Sequence, residues 1–178
     1  MSDATEKIPD ILITTYLQMT DKSQFKPGYL ADMSGLSLKQ MSTTNIEFYR
    51  YLYSAVGKKW RWKDRSMFSN QQIQKILETP GNSVQVLYVN NNPAGFIELA
   101  KSEITTKIVY FGLCSDYMGF GLGKHFLSCG IAQAWNNGAK RLWVHTCNLD
   151  SPYALDNYIK RGFKVYQINK QPMLARYL

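Results

Sequence analysis

Apolar residues recur along this chain at two different spacings, and the way the two alternate predicts an α/β protein. Ile11 to Met19 is dense in apolar residues and threonine and reads as a first strand, closed by turn residues from Asp21 to Gly28. Tyr29 to Ser42 shows no clear period. From Thr44 the spacing becomes helical. Thr44-Asn-Ile-Glu47 has the form of a capping box, and Tyr49, Leu52, Tyr53 and Val56 follow it up to Gly57. Ser69-Asn-Gln-Gln72 is a second such cap, with Ile73, Ile76 and Leu77 behind it and Pro80-Gly81 as the stop. Val84 to Val89 and Ala94 to Ala100 are β-rich runs separated by Asn90-Asn-Asn-Pro93, which predicts an antiparallel hairpin. A turn near Glu103 leads on to a strand ending at Leu113. Leu127, Ile131, Ala134 and Trp135 then mark a helix that stops at Asn137-Gly138. Past Phe163, Lys164 to Ile168 reads as a strand and Met173 to Tyr177 as a last one.

The junction between the strand ending at Leu113 and the following helix carries the chemistry. Gly119, Gly121 and Gly123 stand at alternate positions there. Such glycines let the backbone take positive φ and approach a ligand closely, while the helix behind them directs its free N–H groups at that ligand. An anion is favoured, most naturally a phosphate. Two familiar phosphate motifs do not fit. A Walker loop would need a glycine at Met118 and a hydroxyl at His125, and a dinucleotide fingerprint opening at Gly119 would need a glycine at Lys124.

The loop resembles the coenzyme A pyrophosphate loop of the GCN5-related N-acetyltransferase family, Gln/Arg-x-x-Gly-x-Gly/Ala between a strand and a helix. Gly121 and Gly123 match the two small positions, and Met118 stands where the family has Gln or Arg. A second block strengthens the likeness: Arg141-Leu-Trp-Val-His-Thr-Cys-Asn148, then Ser151-Pro-Tyr-Ala-Leu-Asp-Asn-Tyr158-Ile-Lys-Arg-Gly162-Phe163. It is similar to the family's next strand and helix, in which an Asn follows the strand, Ala and Tyr lie on successive turns, and Gly-Phe follows the Tyr. Asn148, Ala154, Tyr158, Gly162 and Phe163 fit. The resemblance covers about Val84 onward and implies an acyltransferase fold, a mixed, mainly antiparallel sheet flanked by helices. It would span 11–178 as one domain behind a flexible tail at 1–10.

The resemblance also implies acetyl-CoA as co-substrate and a primary amine as acceptor, reacting by direct attack in a ternary complex. Acetyl transfer needs a held thioester, a neutral amine, and a group to stabilise the oxyanion and receive the thiolate. By resemblance, Leu113 would bond the pantetheine arm through its backbone, in a splay between the strands ending at Leu113 and Cys147. Met118, Gly119, Phe120, Gly121, Leu122, Gly123 and Lys124 would cradle the pyrophosphate, Asn148 would bind pantetheine, and Tyr158 would meet the sulfur as an acid. Tyr158 also reads as a core aromatic on an amphipathic helix. For the base, Glu98 is the first candidate: it shares a strand face with Phe96 and Ala100. His145 is another, and ordered water a third. A non-catalytic module that binds coenzyme A or a protein partner is the contrasting reading.

Composition narrows these readings. The chain has 178 residues, enough for one domain with a real core. It has no apolar run of membrane-spanning length, and Met1 to Asp10 lacks the apolar centre of a signal peptide. Three cysteines at no metal-ligand spacing read as buried thiols in a reducing cytoplasm, with no metal site. A net charge of +8 is spread along the chain with one dense patch, Lys58-Lys-Trp-Arg-Trp-Lys-Asp-Arg65, and no nucleic-acid motif accompanies it. The patch reads either as a site for an anionic acceptor, through Arg61 or Arg65 and a stacking Trp60 or Trp62, or as a solvated turn. A homodimer stays open.

Overall fold

The computed structural model describes residues 8–177, so most of the tail expected at 1–10 lies outside the described residues. Seven strands form a single sheet in the order β2-β3-β4-β5-β6-β1-β7. They are β1 (Ile11–Met19), β2 (Leu36–Gln40), β3 (Asn82–Val89), β4 (Asn92–Ser102), β5 (Thr105–Leu113), β6 (Arg141–Cys147) and β7 (Lys164–Pro172). Four helices accompany them: α1 (Ile46–Gly57), α2 (Asn70–Leu77), α3 (Leu122–Asn136) and α4 (Ala154–Lys160). All pairings are antiparallel except β5 with β6.

The two faces of the sheet bury two different cores. On one, Phe126, Leu127, Ile131 and Trp135 of α3, with Tyr158 of α4, pack on Ile97, Leu99, Ile108, Leu113, Leu142 and Val144. On the other, Tyr49, Leu52, Tyr53 and Val56 of α1 and Ile73 and Leu77 of α2 pack on Val84, Val86 and Phe96. Alternation along β4 explains the division, because Phe96 and Ile97 face opposite ways. Each face therefore takes its own amphipathic helices.

Most predicted elements recur with small shifts of boundary. α1 is capped by Asn45, whose side chain accepts from the Phe48 N–H, one residue later than the predicted box. α2 has the predicted capping box, Ser69 with Gln72. The β3–β4 hairpin turns on Asn90 and Asn91 alone, both at positive φ, as a two-residue turn of the primed kind requires. Pro93 falls inside β4 instead of the turn. Three differences are larger. Leu36 to Gln40, without period in the sequence, is the edge strand β2, paired to β3 and covered by little else. Of the two strands expected after Phe163, the first runs on to Pro172 as β7, and in place of the second Ala175–Tyr177 is a 3-10 turn. Finally, β1 lies between β6 and β7, so the first strand of the chain joins the two that surround the last helix.

Candidate active site

The parallel pairing of β5 with β6 covers only Thr105–Lys107 against Arg141–Trp143. Beyond that the strands part. A bulge sits at the same place: Glu98 pairs with Tyr110 and Leu99 with Ile108, so Val109 is an extra residue on β5. The gap opens into a cleft of about 650 Å³. Its walls come from both faces of the sheet. Gly119, Gly121, Lys124, Leu113 and Tyr158 line it on the α3 side, and Tyr53, Trp60, Trp62, Tyr110 and His145 on the other.

At one end of the cleft, Gly121 stands as the N-cap of α3 with φ +75°, and no side chain caps the first turn. That turn contains no acidic residue. Its free N–H groups and the positive end of the helix dipole face the cleft beside Lys124. Of the residues expected around a cofactor, the fold brings Leu113, Met118, Gly119, Gly121, Gly123, Lys124 and Tyr158 to this one cleft. The Phe120 side chain is 71% exposed, and Leu122 turns into the core, so only their backbones are available.

Tyr158 sits midway in the wall, with its ring packed edge-on against Phe111 at 6.3 Å and Phe163 at 5.9 Å between centroids. Among the described residues its hydroxyl has no hydrogen-bond partner. Burial, with a smaller contribution from the Asp150 carboxylate, pushes its pKa well above the ordinary tyrosine range, so the phenol stays protonated.

Three expectations do not agree with the geometry. Glu98 is fully buried on the α1 face and lies outside the cleft. Its carboxylate accepts from the Tyr49 hydroxyl at 2.6 Å, from Arg65 at 2.9 Å and from Asn82 at 3.3 Å, which leaves it no contact with an incoming amine. Arg65 is thereby held in an ion pair inside the protein and is not a cleft residue either. Asn148 also departs from its expected role. Its amide accepts from the Ile13 N–H and donates to the Ile11 carbonyl, both at 2.9 Å, and so continues the ladder between β6 and β1. The amide is thus partly engaged by β1, and Asn148 is not among the residues that line the cleft. The cause is the insertion of β1, which no local pattern announces.

The structure also brings forward Asp150, which the sequence left unmarked, and gives Trp62 and His145 their surroundings. Asp150 accepts from the Thr146 hydroxyl at 2.7 Å, the Cys147 N–H at 2.9 Å and the Trp62 indole N–H at 3.2 Å. It therefore ties the basic, tryptophan-bearing loop to the end of β6 across the cleft. Trp62 stacks at an angle on Tyr110 and Tyr53, at 5.0 and 5.5 Å. His145 stands in the cleft wall beside Tyr16, 5.6 Å between ring centroids. Partial desolvation and the Lys107 charge hold its pKa below the usual imidazole range. It is thus neutral near pH 7 and able to accept a proton. The three cysteines are free thiols, and no group of His, Cys, Asp or Glu among the described residues is arranged to hold a metal. No helix among them is long and apolar enough to cross a membrane.

Comparisons with known proteins agree with this architecture. The model of the acetyltransferase (GNAT) family matches residues 43–163. An aminoglycoside acetyltransferase from an uncultured soil metagenomic sample, solved with trehalose, shares 17% identity over 73% of this chain and 90% of its own, with a TM-score of 0.60. An IAA acetyltransferase from Bacillus cereus shares 21% identity over 74% of this chain and 79% of its own, with a TM-score of 0.58. A GCN5-related N-acetyltransferase from Sphaerobacter thermophilus superposes on 92% of this chain with a TM-score of 0.63 at 12% identity. The chain spans about half the length of that last protein, 52%. Among curated proteins no match is found.

Proposed function

Since the chain belongs to the GNAT acetyltransferase family, we propose that it moves an acetyl group from acetyl-CoA to a primary amine by direct attack in a ternary complex. The observation that carries this reading is the cleft through the sheet, with an anion cradle at one mouth and an aromatic, partly charged mouth at the other. A thioester threaded from the α3 side would present its carbonyl between the parted strands, where an amine from the α1 side can reach it. Two reactants held in this way react as one, and orientation alone lowers the barrier by several kcal/mol, on the order of 7–11 at best.

Each residue then has a task. The first turn of α3 and Lys124 hold the diphosphate, and the free edge of β5 near Leu113 hydrogen-bonds the pantetheine arm. His145 takes a proton from the acceptor's ammonium, directly or through water, to leave the neutral amine that attacks, because it is the neutral basic side chain in the wall. Tyr158 delivers a proton to the departing thiolate. Glu98 acts at a distance, fixing Tyr49 and Arg65 behind the bulged strand. At the acceptor mouth, Trp60, Trp62, Tyr53 and Tyr110 offer flat apolar walls, and Arg61 and Lys63 offer charge for an anionic group on the acceptor.

The deciding experiment is thiol release from acetyl-CoA across a panel of amines, amino sugars and peptides. Acetylated product with stoichiometric free coenzyme supports the reading. Tight coenzyme binding with no release on any amine would favour the non-catalytic module, for which the occupied Asn148 amide and the Met118 departure speak.

A further inference from the structure

We propose that Arg161 grips the diphosphate of the cofactor, an inference that rests on the reading of this cleft as a coenzyme A site. Arg161 closes the C-terminal end of α4, where its backbone carbonyl accepts from the Lys26 N–H at 3.0 Å and so pins the β1–β2 connection against the helix. Its guanidinium lies over Gly28, and a β-carbon on that glycine would occupy the same space. The position such a β-carbon would take is also 3.3 Å from Cβ of Lys124, which places the guanidinium beside the first turn of α3. Arg161, Lys124, Gly119, Gly121 and Gly123 all line the cleft.

What singles this arginine out is that its side chain has no hydrogen-bond or ion-pair partner among the described residues. Its Nε and Nη1 are buried and make no hydrogen bond. Among the described residues no carboxylate lies within ion-pair distance of it. The one acid of α4, Asp156, is paired with Lys160 at 2.7 Å. A guanidinium cannot shed its charge, and burying it unpaired is costly, so a cation in this position calls for an anion from outside the chain. Its planar fork matches two phosphate oxygens at once, and two neighbouring phosphates between this fork and the α3 N–H groups would satisfy both. The arrangement also accounts for Met118: the cationic or amide side chain missing from the loop is replaced by one reaching in from α4, over a glycine that leaves room for it.

The test uses calorimetric titration of the whole protein with coenzyme A, 3′-dephospho-coenzyme A and pantetheine. Arg161→Met should weaken the first two by the same factor, about 10- to 100-fold for a lost charge-assisted contact, and leave pantetheine unchanged. Arg161→Lys should recover part of the loss. Gly28→Ala, which displaces the guanidinium without removing it, should weaken the same two ligands. Unchanged coenzyme A affinity in a folded Arg161→Met variant overturns the proposal. So does a loss for coenzyme A that 3′-dephospho-coenzyme A does not share, which would place the arginine on the 3′-phosphate, or an equal loss for pantetheine, which would make its role structural. If the unaltered protein binds none of the three, the coenzyme reading itself fails and takes this one with it, a result seen before any variant is made.

Discussion

Removal of one oxygen, Tyr158→Phe, separates the chemical role of this residue from its packing role more cleanly than any other change. The ring is buried between Phe111 and Phe163, and a phenylalanine keeps both contacts. The hydroxyl makes no hydrogen bond to a described residue, so its loss breaks no internal bond and the folded state should change by less than about 0.5 kcal/mol. The chemical effect is of another size. Burial and the nearby Asp150 carboxylate disfavour the phenolate, so the hydroxyl carries its proton near neutral pH. It can give that proton to a thiolate and regain it from water. Acid catalysis of this kind contributes about 10²–10⁴-fold, or roughly 2.7–5.5 kcal/mol at 1.36 kcal/mol per decade. Turnover should be followed by thiol release with saturating acetyl-CoA and an accepted amine, alongside calorimetric affinity for coenzyme A and a thermal melt. The expected pattern is a fall in kcat of two to four decades as estimated above, with KM for acetyl-CoA, coenzyme affinity and Tm nearly unchanged. Full turnover with a lowered Tm would refute the reasoning and leave Tyr158 as a core aromatic.

Three further outcomes follow from the same geometry. Gly121→Val places a β-branched residue at φ +75° with Leu30 3.2 Å and Lys124 3.4 Å from its β-carbon, and should weaken coenzyme A sharply through strain of about 1–2 kcal/mol and displaced N–H groups; calorimetry on a folded variant checks it, and unchanged affinity would remove the loop from the site. Glu98→Gln removes the charge that pairs with a largely buried Arg65 and should cost about 3–5 kcal/mol in urea unfolding while altering the midpoint and not the slope; a loss of activity without loss of stability would return Glu98 to the list of proton acceptors. His145 works as a base only when neutral, and its pKa lies below the usual value of about 6.5. Activity should therefore persist to mildly acid pH and fall only as pH drops through that lowered pKa. His145→Gln should lower kcat/KM and abolish this acidic limb, and a profile identical to that of the unaltered protein would exclude it.

The elements of this protein are local matters, and the sequence by itself determines them. Ser69 with Gln72 writes the start of α2, Asn90 and Asn91 write a two-residue turn, and Gly121 and Gly138 mark the limits of α3 through the positive φ both adopt. Apolar spacing assigned Tyr49, Leu52, Tyr53 and Val56 to a buried helix face, and the family likeness placed the glycine loop, Leu113 and Tyr158 at one cleft. What no stretch of sequence contains is which atoms are already engaged by distant parts of the chain. Glu98 alternates correctly along its strand, but only the fold shows Tyr49, Arg65 and Asn82 converging on it from three other segments. Asn148 has the right spacing, but β1, more than a hundred residues earlier, occupies its amide. β2 carries no apolar period because it is an edge strand with little burial to record in its sequence. Arg161 reads in isolation as one more surface cation. Its meaning comes from Gly28 and Lys124, brought against it from either side, and from the carboxylate that tertiary structure does not supply. Local backbone preferences and burial leave their mark on neighbouring residues, whereas the pairing of a charge or an amide is settled by whatever the folded chain carries to it.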